Sequence, residues 1–205
     1  RPDLQGAELG ALLGRSVPEQ GRSLRAQGLR RRREVSRPRL LALYDDVERR
    51  ARRTAEEHPF WPCRRGCDAC CRRLAEVPRF TRAEWEWLRE GLDALPPATR
   101  AQVDARLGAL AAAEREGRLG RHVVCPMLDE TEGACLVYAH RPLACRTYGF
   151  YVRRGDGLHC DLVERAVADH PEAAVVWGNA DGAEEDARRL SGEERALTAW
   201  LADRA

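Results

Sequence analysis

Lysine is missing altogether: every one of the 35 basic residues is an arginine. Aromatic residues make up only 6%, so a core built from this chain is aliphatic, with five tryptophans as its large anchors. No apolar run approaches the roughly 20 residues of a membrane span, and no signal-peptide h-region is visible. A formal net charge of +2 supplies little attraction for nucleic acid or an anionic membrane, so neither is an expected partner. There is no Ser-His-Asp set, glycine-rich phosphate loop or H-E-x-x-H helix. No internal repeat occurs, which excludes solenoid and propeller architectures.

What the chain does have is cysteine. Four thiols fall within the nine residues Cys63-Arg64-Arg65-Gly66-Cys67-Asp68-Ala69-Cys70-Cys71, and four more follow at Cys125, Cys135, Cys145 and Cys160. So short a stretch cannot send four side chains into one core for packing alone. Thiolates, in contrast, are soft ligands that hold zinc or iron when three or four converge. A disulfide framework belongs to short secreted domains without a core, and at 205 residues this chain is long enough to bury one. Free thiols in a reducing cytoplasm are therefore the expectation.

Around the thiols the chain reads as helices. Leu40, Tyr44, Val47, Ala51 and Ala55 share one stripe, which predicts an amphipathic helix over 39–57. Thr81 and Glu84 form a capping-box pattern, followed by the apolar face Trp85, Leu88, Leu92 and Leu95, which Pro96-Pro97 ends. Val103, Leu107 and Leu110 predict a further helix that stops near Gly117 to Gly120. Val123-Val124 and Leu136-Val137-Tyr138, flanking the polar stretch 129–133, predict a small hairpin. Residues 161–169 read as helical, and Ser191 with Glu194 as the cap of a last helix carrying Leu197, Trp200 and Leu201. Residues 1–39 hold ten Arg against four acids, and 161–205 five Arg against eleven, so the two ends are expected to attract each other.

The first cluster is C-x3-C-x2-C-C, with Gly66 as its flexible point. This spacing lets Cys63, Cys67 and Cys70 point to one centre. Adjacent Cys70 and Cys71 do not easily point the same way, so one of them completes that site while the other serves a second ion, bridges two, or is merely buried. C-x3-C-x2-C also holds the cluster of radical S-adenosylmethionine enzymes, but those need repeated βα units, and no such alternation is present. A four-thiolate zinc or iron site carries a net charge of −2 and needs donors and cations around it. Arg64, Arg65, Arg72, Arg73, Arg141 and Arg146 all lie within a few residues of a cysteine. Arg141 and Arg146 bracket Cys145, either to bind a substrate carboxylate or phosphate or to fix the loop by donating to local acceptors. His159, beside Cys160, is the one histidine with a claim as a ligand; Tyr138 and Tyr148 read as core.

The order of these motifs resembles a known family. Cys63-x3-Cys67-x2-Cys70-Cys71, then Cys125-Pro126-Met127-Leu128, then Gly133-Ala134-Cys135-Leu136-Val137-Tyr138, then Arg141-Pro142-Leu143-Ala144-Cys145-Arg146-Thr147-Tyr148, together resemble the YkgJ-like CxxCxxCC family of zinc- or iron-chelating proteins. The resemblance covers roughly residues 60–160. This chain departs from the family's shorthand in having three residues between its first two cysteines. The resemblance implies that Cys63, Cys67, Cys70, Cys71, Cys125, Cys135, Cys145 and Cys160 are metal ligands. A related cysteine cluster in flagellin lysine methylases, which are longer proteins, hints at enzymatic use.

The expected fold is mainly α with a small β-hairpin, an irregular cysteine-rich metal-binding core being flanked by helices. Residues 1–37 are expected as an arginine-rich arm, 38–178 as the metal-binding domain, and 179–205 as an acidic segment and helix packed on it. The expected cofactor is an iron–sulfur cluster, narrowly favoured by the adjacent cysteine pair and the many loop ligands, or zinc. Redox or modifying activity is one expectation. The other is a non-catalytic, zinc-stapled module whose helical ends bind a protein partner.

Overall fold

A computed structural model of the chain describes residues 19–120 and 122–202, with side chains from Arg37 onward. The chain divides into two units, Arg1–Val35 and Ser36–Ala205, and the second holds all eight cysteines. Helix α1 is Glu19–Glu57, with Pro38 inside it. It therefore starts earlier than the apolar stripe predicts, while residues 1–18 of the expected arm lie outside the described residues. Leu40, Tyr44 and Val47 form the buried stripe of α1, and Thr54 continues it.

Two longer helices come after the cysteine turn. Helix α3, Arg82–Asp93, buries Trp85, Leu88 and Leu92, and α4, Pro97–Arg115, buries Val103, Leu107 and Leu110. Both bounds have local causes. The Thr81 N–H donates to Glu84 Oε2 at 2.9 Å, the returning arm of a capping box. At the far end of α4, Gly117 takes φ +64°, and the N–H groups of Gly117 and Arg118 donate to Glu114 O and Ala113 O. That is a Schellman closure, which a residue free to adopt positive φ makes cheap.

The expected hairpin is present but shorter. Strand β2, Leu128–Asp129, pairs antiparallel with β3, Ala134–Cys135, with Leu128 opposite Cys135. Asp129 Oδ1 accepts from the N–H groups of Thr131 and Glu132 at 3.0 and 3.2 Å and so closes the turn. Val123 pairs instead with Leu74 across the cysteine turn. Tyr138 begins a 3-10 turn, Tyr138–His140.

The C-terminal part differs most from expectation. Helix α7, Ala180–Ser191, has a buried face of Ala180, Ala183 and Ala187, small side chains set among Asp, Glu and Arg. Ser191 ends α7 rather than capping the last helix; its Oγ accepts from the Ala83 N–H at the start of α3, at 3.2 Å. The last helix, α8, is Leu197–Ala202, and strand β7, Arg195–Ala196, precedes it and pairs with β1, Arg79–Phe80. A third small sheet joins β4 (Tyr151–Arg153) to β5 (Asp156–Gly157) and β6 (Gly178–Asn179). The architecture is thus mainly α with small sheets of two or three strands, as the sequence implies.

Two apolar clusters stand in this frame. One gathers α3, α4, the hairpin and Leu197 with Trp200. The other gathers Leu40, Tyr44 and Val47 of α1 with Leu143, Tyr151 and the alanine face of α7. Glu84, only 2% exposed, ties α3 to both sides: its carboxylate also accepts from the Leu143 N–H at 2.8 Å and from the Tyr44 hydroxyl. A buried carboxylate is tolerated when it is hydrogen-bonded throughout, and this one has four donors. Among the described residues no helix is long and apolar enough to cross a membrane.

Candidate metal centre

The cysteines arrive from several places in the chain. Cys63 and Cys67 flank the turn in which Gly66 takes φ +91° and the Cys67 N–H donates to Arg64 O at 3.0 Å. Cys70 and Cys71 sit on the single turn α2, Ala69–Arg72. Cys125 precedes the hairpin, Cys135 lies in β3, Cys145 lies in α5 (Leu143–Thr147), and Cys160 precedes α6 (Asp161–Ala168). All eight are free thiols, and all eight line one cavity of about 960 Å³. Arg141, Arg146, Tyr138 and Tyr148 line it too. Both tyrosines thus face the cavity instead of the core.

Local packing explains the convergence. The Cys125 N–H donates to Cys71 O at 2.7 Å, next to the Leu74–Val123 bridge, so 123–125 lies alongside 71–74. The hairpin turn presses on the cysteine turn, where a Cβ on Gly133 would stand 3.3 Å from Asp68 Oδ2 and 3.5 Å from Gly66 O. Gly149, at φ +85°, lets the chain pass against Cys63; a Cβ there would overlap the Cys63 sulfur. Nothing in the spacing of cysteines points to Gly149, although its place three residues after the Arg-Pro-x-x-Cys-Arg block is a usable signal.

The thiols raise one another's proton affinity. Burial, then the nearby Cys67, Cys160 and Cys70, push Cys63 up to about 12. A hydrogen bond with Cys125, then burial, help push Cys71 up to about 12. Cys70 moves well up through its contact with Cys71 and through burial. Cys145 moves up through burial, with Cys135 and Cys71 adding to it. Burial raises Cys135, while the Val137 N–H and Arg141 oppose the shift. Sulfurs this close cannot ionise together without a cation between them. A metal ion supplies that cation, and the thiol-rich donor set suits zinc and iron. Among the described residues, no group of three or more His, Cys, Asp or Glu is arranged to hold an ion as it stands. Closing a site therefore requires deprotonation and a shift of the sulfurs toward the ion.

Both bracketing arginines are occupied by the protein. Arg146, 7% exposed, donates to Arg141 O at 2.7 Å, Ala139 O at 2.8 Å and Glu48 of α1, and its guanidinium lies 4.2 Å over the Tyr44 ring. Arg141 donates to Tyr138 O at 3.1 Å, lies 3.7 Å over the Tyr138 ring and pairs with Glu48 at 3.6 Å. Glu48 is the residue that sequence reasoning missed here, because its partners lie nearly 100 residues away. His159 does not line the cavity; its ring stands 5.5 Å from that of Trp177, in an aromatic group that includes Trp61, Phe60 and His170.

A thiol-lined cavity in a small helical frame defines a metal-binding domain. A family model described as a "putative zinc- or iron-chelating domain", CxxCxxCC, matches residues 62–170, a span that contains all eight cysteines. The chain belongs to this family. No curated protein and no solved structure matches the chain.

Proposed function

We propose that the chain holds an iron–sulfur centre or zinc through Cys63, Cys67, Cys70, Cys71, Cys125, Cys135, Cys145 and Cys160, with iron–sulfur narrowly preferred. One observation carries this reading: thiols from five separate segments line a single cavity, and none is consumed in a disulfide. In the proposed assignment, residues 38–178 supply the centre, and 179–205 pack on them through Ala180, Ala183, Ala187, Leu197 and Trp200. A cavity of about 960 Å³ exceeds what thiolate-bound ions fill and lies in the range of pockets that admit a small molecule. This leaves room for a small molecule beside the centre and favours redox or modifying activity. Arg141 and Arg146 then act as supports that hold the Cys135–Cys145 segment to α1, because their donors already have acceptors.

The same arginine bonding favours a second reading, a zinc-stapled module without catalysis, in which every ligand position is filled by cysteine. Anaerobic purification followed by metal analysis and visible absorption separates the two. Broad absorption with iron and sulfide supports the cluster, a colourless protein with stoichiometric zinc supports the staple, and eight reactive thiols without metal remove both.

A further inference from the structure

We infer that the eight cysteines are divided between two four-thiol metal sites: Cys63, Cys67, Cys70 and Cys160 form one, and Cys71, Cys125, Cys135 and Cys145 form the other. The inference rests on the metal-binding reading above and deepens it by assigning ligands to sites.

The boundary runs between Cys70 and Cys71. Successive side chains on a helical turn start out about 100° apart; these two neighbours occupy the one turn of α2 and touch through their thiols, so the two groups adjoin at this point. Cys71 is held to the second group by backbone: the Cys125 N–H donates to its carbonyl, and the Leu74–Val123 bridge continues that pairing. Cys125 is fixed in turn to the hairpin, since its carbonyl accepts from the Leu128 N–H at 3.0 Å and Leu128 stands opposite Cys135. Cys145 reaches the same place through α5. Its neighbour Arg146 is clamped to the carbonyls of Ala139 and Arg141, which lie on the chain leading from Cys135.

The first group has its own scaffold. Cys63, Cys67 and Cys70 belong to one turn. Gly149 lies against the Cys63 sulfur and its N–H donates to Leu158 O, two residues before Cys160. Cys63 accordingly has Cys67, Cys70 and Cys160 as its thiol neighbours, whereas Cys71 has Cys125 and Cys135 besides the adjoining Cys70. The surroundings also differ. Tyr148 faces Cys160, Cys70 and Cys63, while Arg141 faces Cys135 and Cys145. Four thiolates on a divalent ion leave a net charge of −2. A phenol offers one site a neutral donor, and a guanidinium offers the other a full positive charge, so the two are expected to fill at different metal concentrations.

The test uses Co2+ as probe, titrated anaerobically into the metal-free full chain and read by sulfur-to-cobalt absorption, whatever the native metal is. The wild type is expected to bind two equivalents. Cys67→Ser and Cys135→Ser each keep one. Cys67→Ser with Cys160→Ser, both in one group, also keeps one, and Cys67→Ser with Cys135→Ser keeps none. Loss of both equivalents in the same-group double variant, with helical circular dichroism unchanged, overturns the partition in favour of one shared centre. A wild-type measurement guards against variants that fail to fold. At one equivalent of Co2+, molecules carrying four maleimide labels should carry them all on one group, as mapped by mass spectrometry. Labels scattered across both groups overturn the partition. A wild type that takes up no Co2+ removes the metal-binding reading itself, an outcome distinct from either.

Discussion

Gly149→Ala places a single methyl group at the point where the chain passes Cys63, and the structure allows its effect to be separated into two parts. The first is backbone strain, because Gly149 sits at φ +85°. An L-residue in that region costs about 1–2 kcal/mol. The second is steric: the new Cβ overlaps the Cys63 sulfur and stands 3.7 Å from Val163 Cγ2, a residue that is fully buried. The thiol has to turn out of its place, and overpacking of this kind costs roughly 1–3 kcal/mol. Gly155→Ala is the matched control, since Gly155 takes φ +88° with no atom within 4 Å of the added Cβ. It carries the backbone part alone.

At about 2–4 °C per kcal/mol for a chain of this size, Gly149→Ala is expected to melt roughly 4–20 °C below wild type and Gly155→Ala roughly 2–8 °C below. The decisive reading is metal content. Gly149→Ala should lose the metal held by Cys63, whereas Gly155→Ala should keep the full complement. Equal melting temperatures with full metal in both variants would refute the argument that Gly149 exists to admit the Cys63 sulfur.

Arg146→Lys is expected to destabilise the protein by about 2–3 kcal/mol, because one ammonium cannot serve the Arg141 carbonyl, the Ala139 carbonyl and Glu48 together; chemical denaturation measures it, and hydrogen exchange should loosen over 138–147. Acid should strip the metal, since every coordinated thiol must first lose its proton: apparent affinity is expected to rise with pH, by about tenfold per pH unit for each proton released. The metal-free protein runs the other way. Cys63 and Cys71 stand at about 12 when folded, against an ordinary 9. Their contribution is therefore complete below pH 9 and lost as pH rises toward 12. A melting temperature of the metal-free protein that climbs across that window would contradict the close packing of the thiols.

Elements with local signals were legible in the sequence. The Thr81–Glu84 box and the Pro96-Pro97 stop bound α3 to within two residues, and the stripe of Val103, Leu107 and Leu110 marks α4. Helix α7 was not read from the sequence although Ala180, Ala183 and Ala187 recur at helical spacing among Asp, Glu and Arg, because alanine is small enough to sit on a buried or an exposed face and the stripe does not announce burial. The hairpin was legible in kind but not in extent. Val123 has the same strand character whether it pairs forward with 136–138 or backward with Leu74, and only the tertiary packing selects the second. The same limit applies to the centre. Eight cysteines announce thiol chemistry, yet the Cys125–Cys71 contact and the Glu48 clamp join residues 54 and 98 positions apart, beyond the reach of any spacing rule.

Those long-range joins bear on what the metal does for the fold. Cys71, Cys125 and Cys135 pack against the apolar cluster of α3 and α4, so these thiols rest on structure that stands without an ion. Cys63, Cys67, Cys70 and Cys160 belong to neither apolar cluster. Their segment is held by turns, by Arg72 bonded to Asp68 at 2.6 Å on the surface, and by the approach of Gly149. Exposed pairs of that kind stabilise little. Ligation should therefore contribute unequally: removing metal with a chelator is expected to free 63–70 and 157–161 to exchange hydrogen while 123–137 stays largely protected and the helical signal survives. Hydrogen exchange read by mass spectrometry resolves the two segments. Equal loosening of both would mean that the apolar cluster does not hold the hairpin by itself, and that the metal organises the whole cysteine-bearing half of the domain.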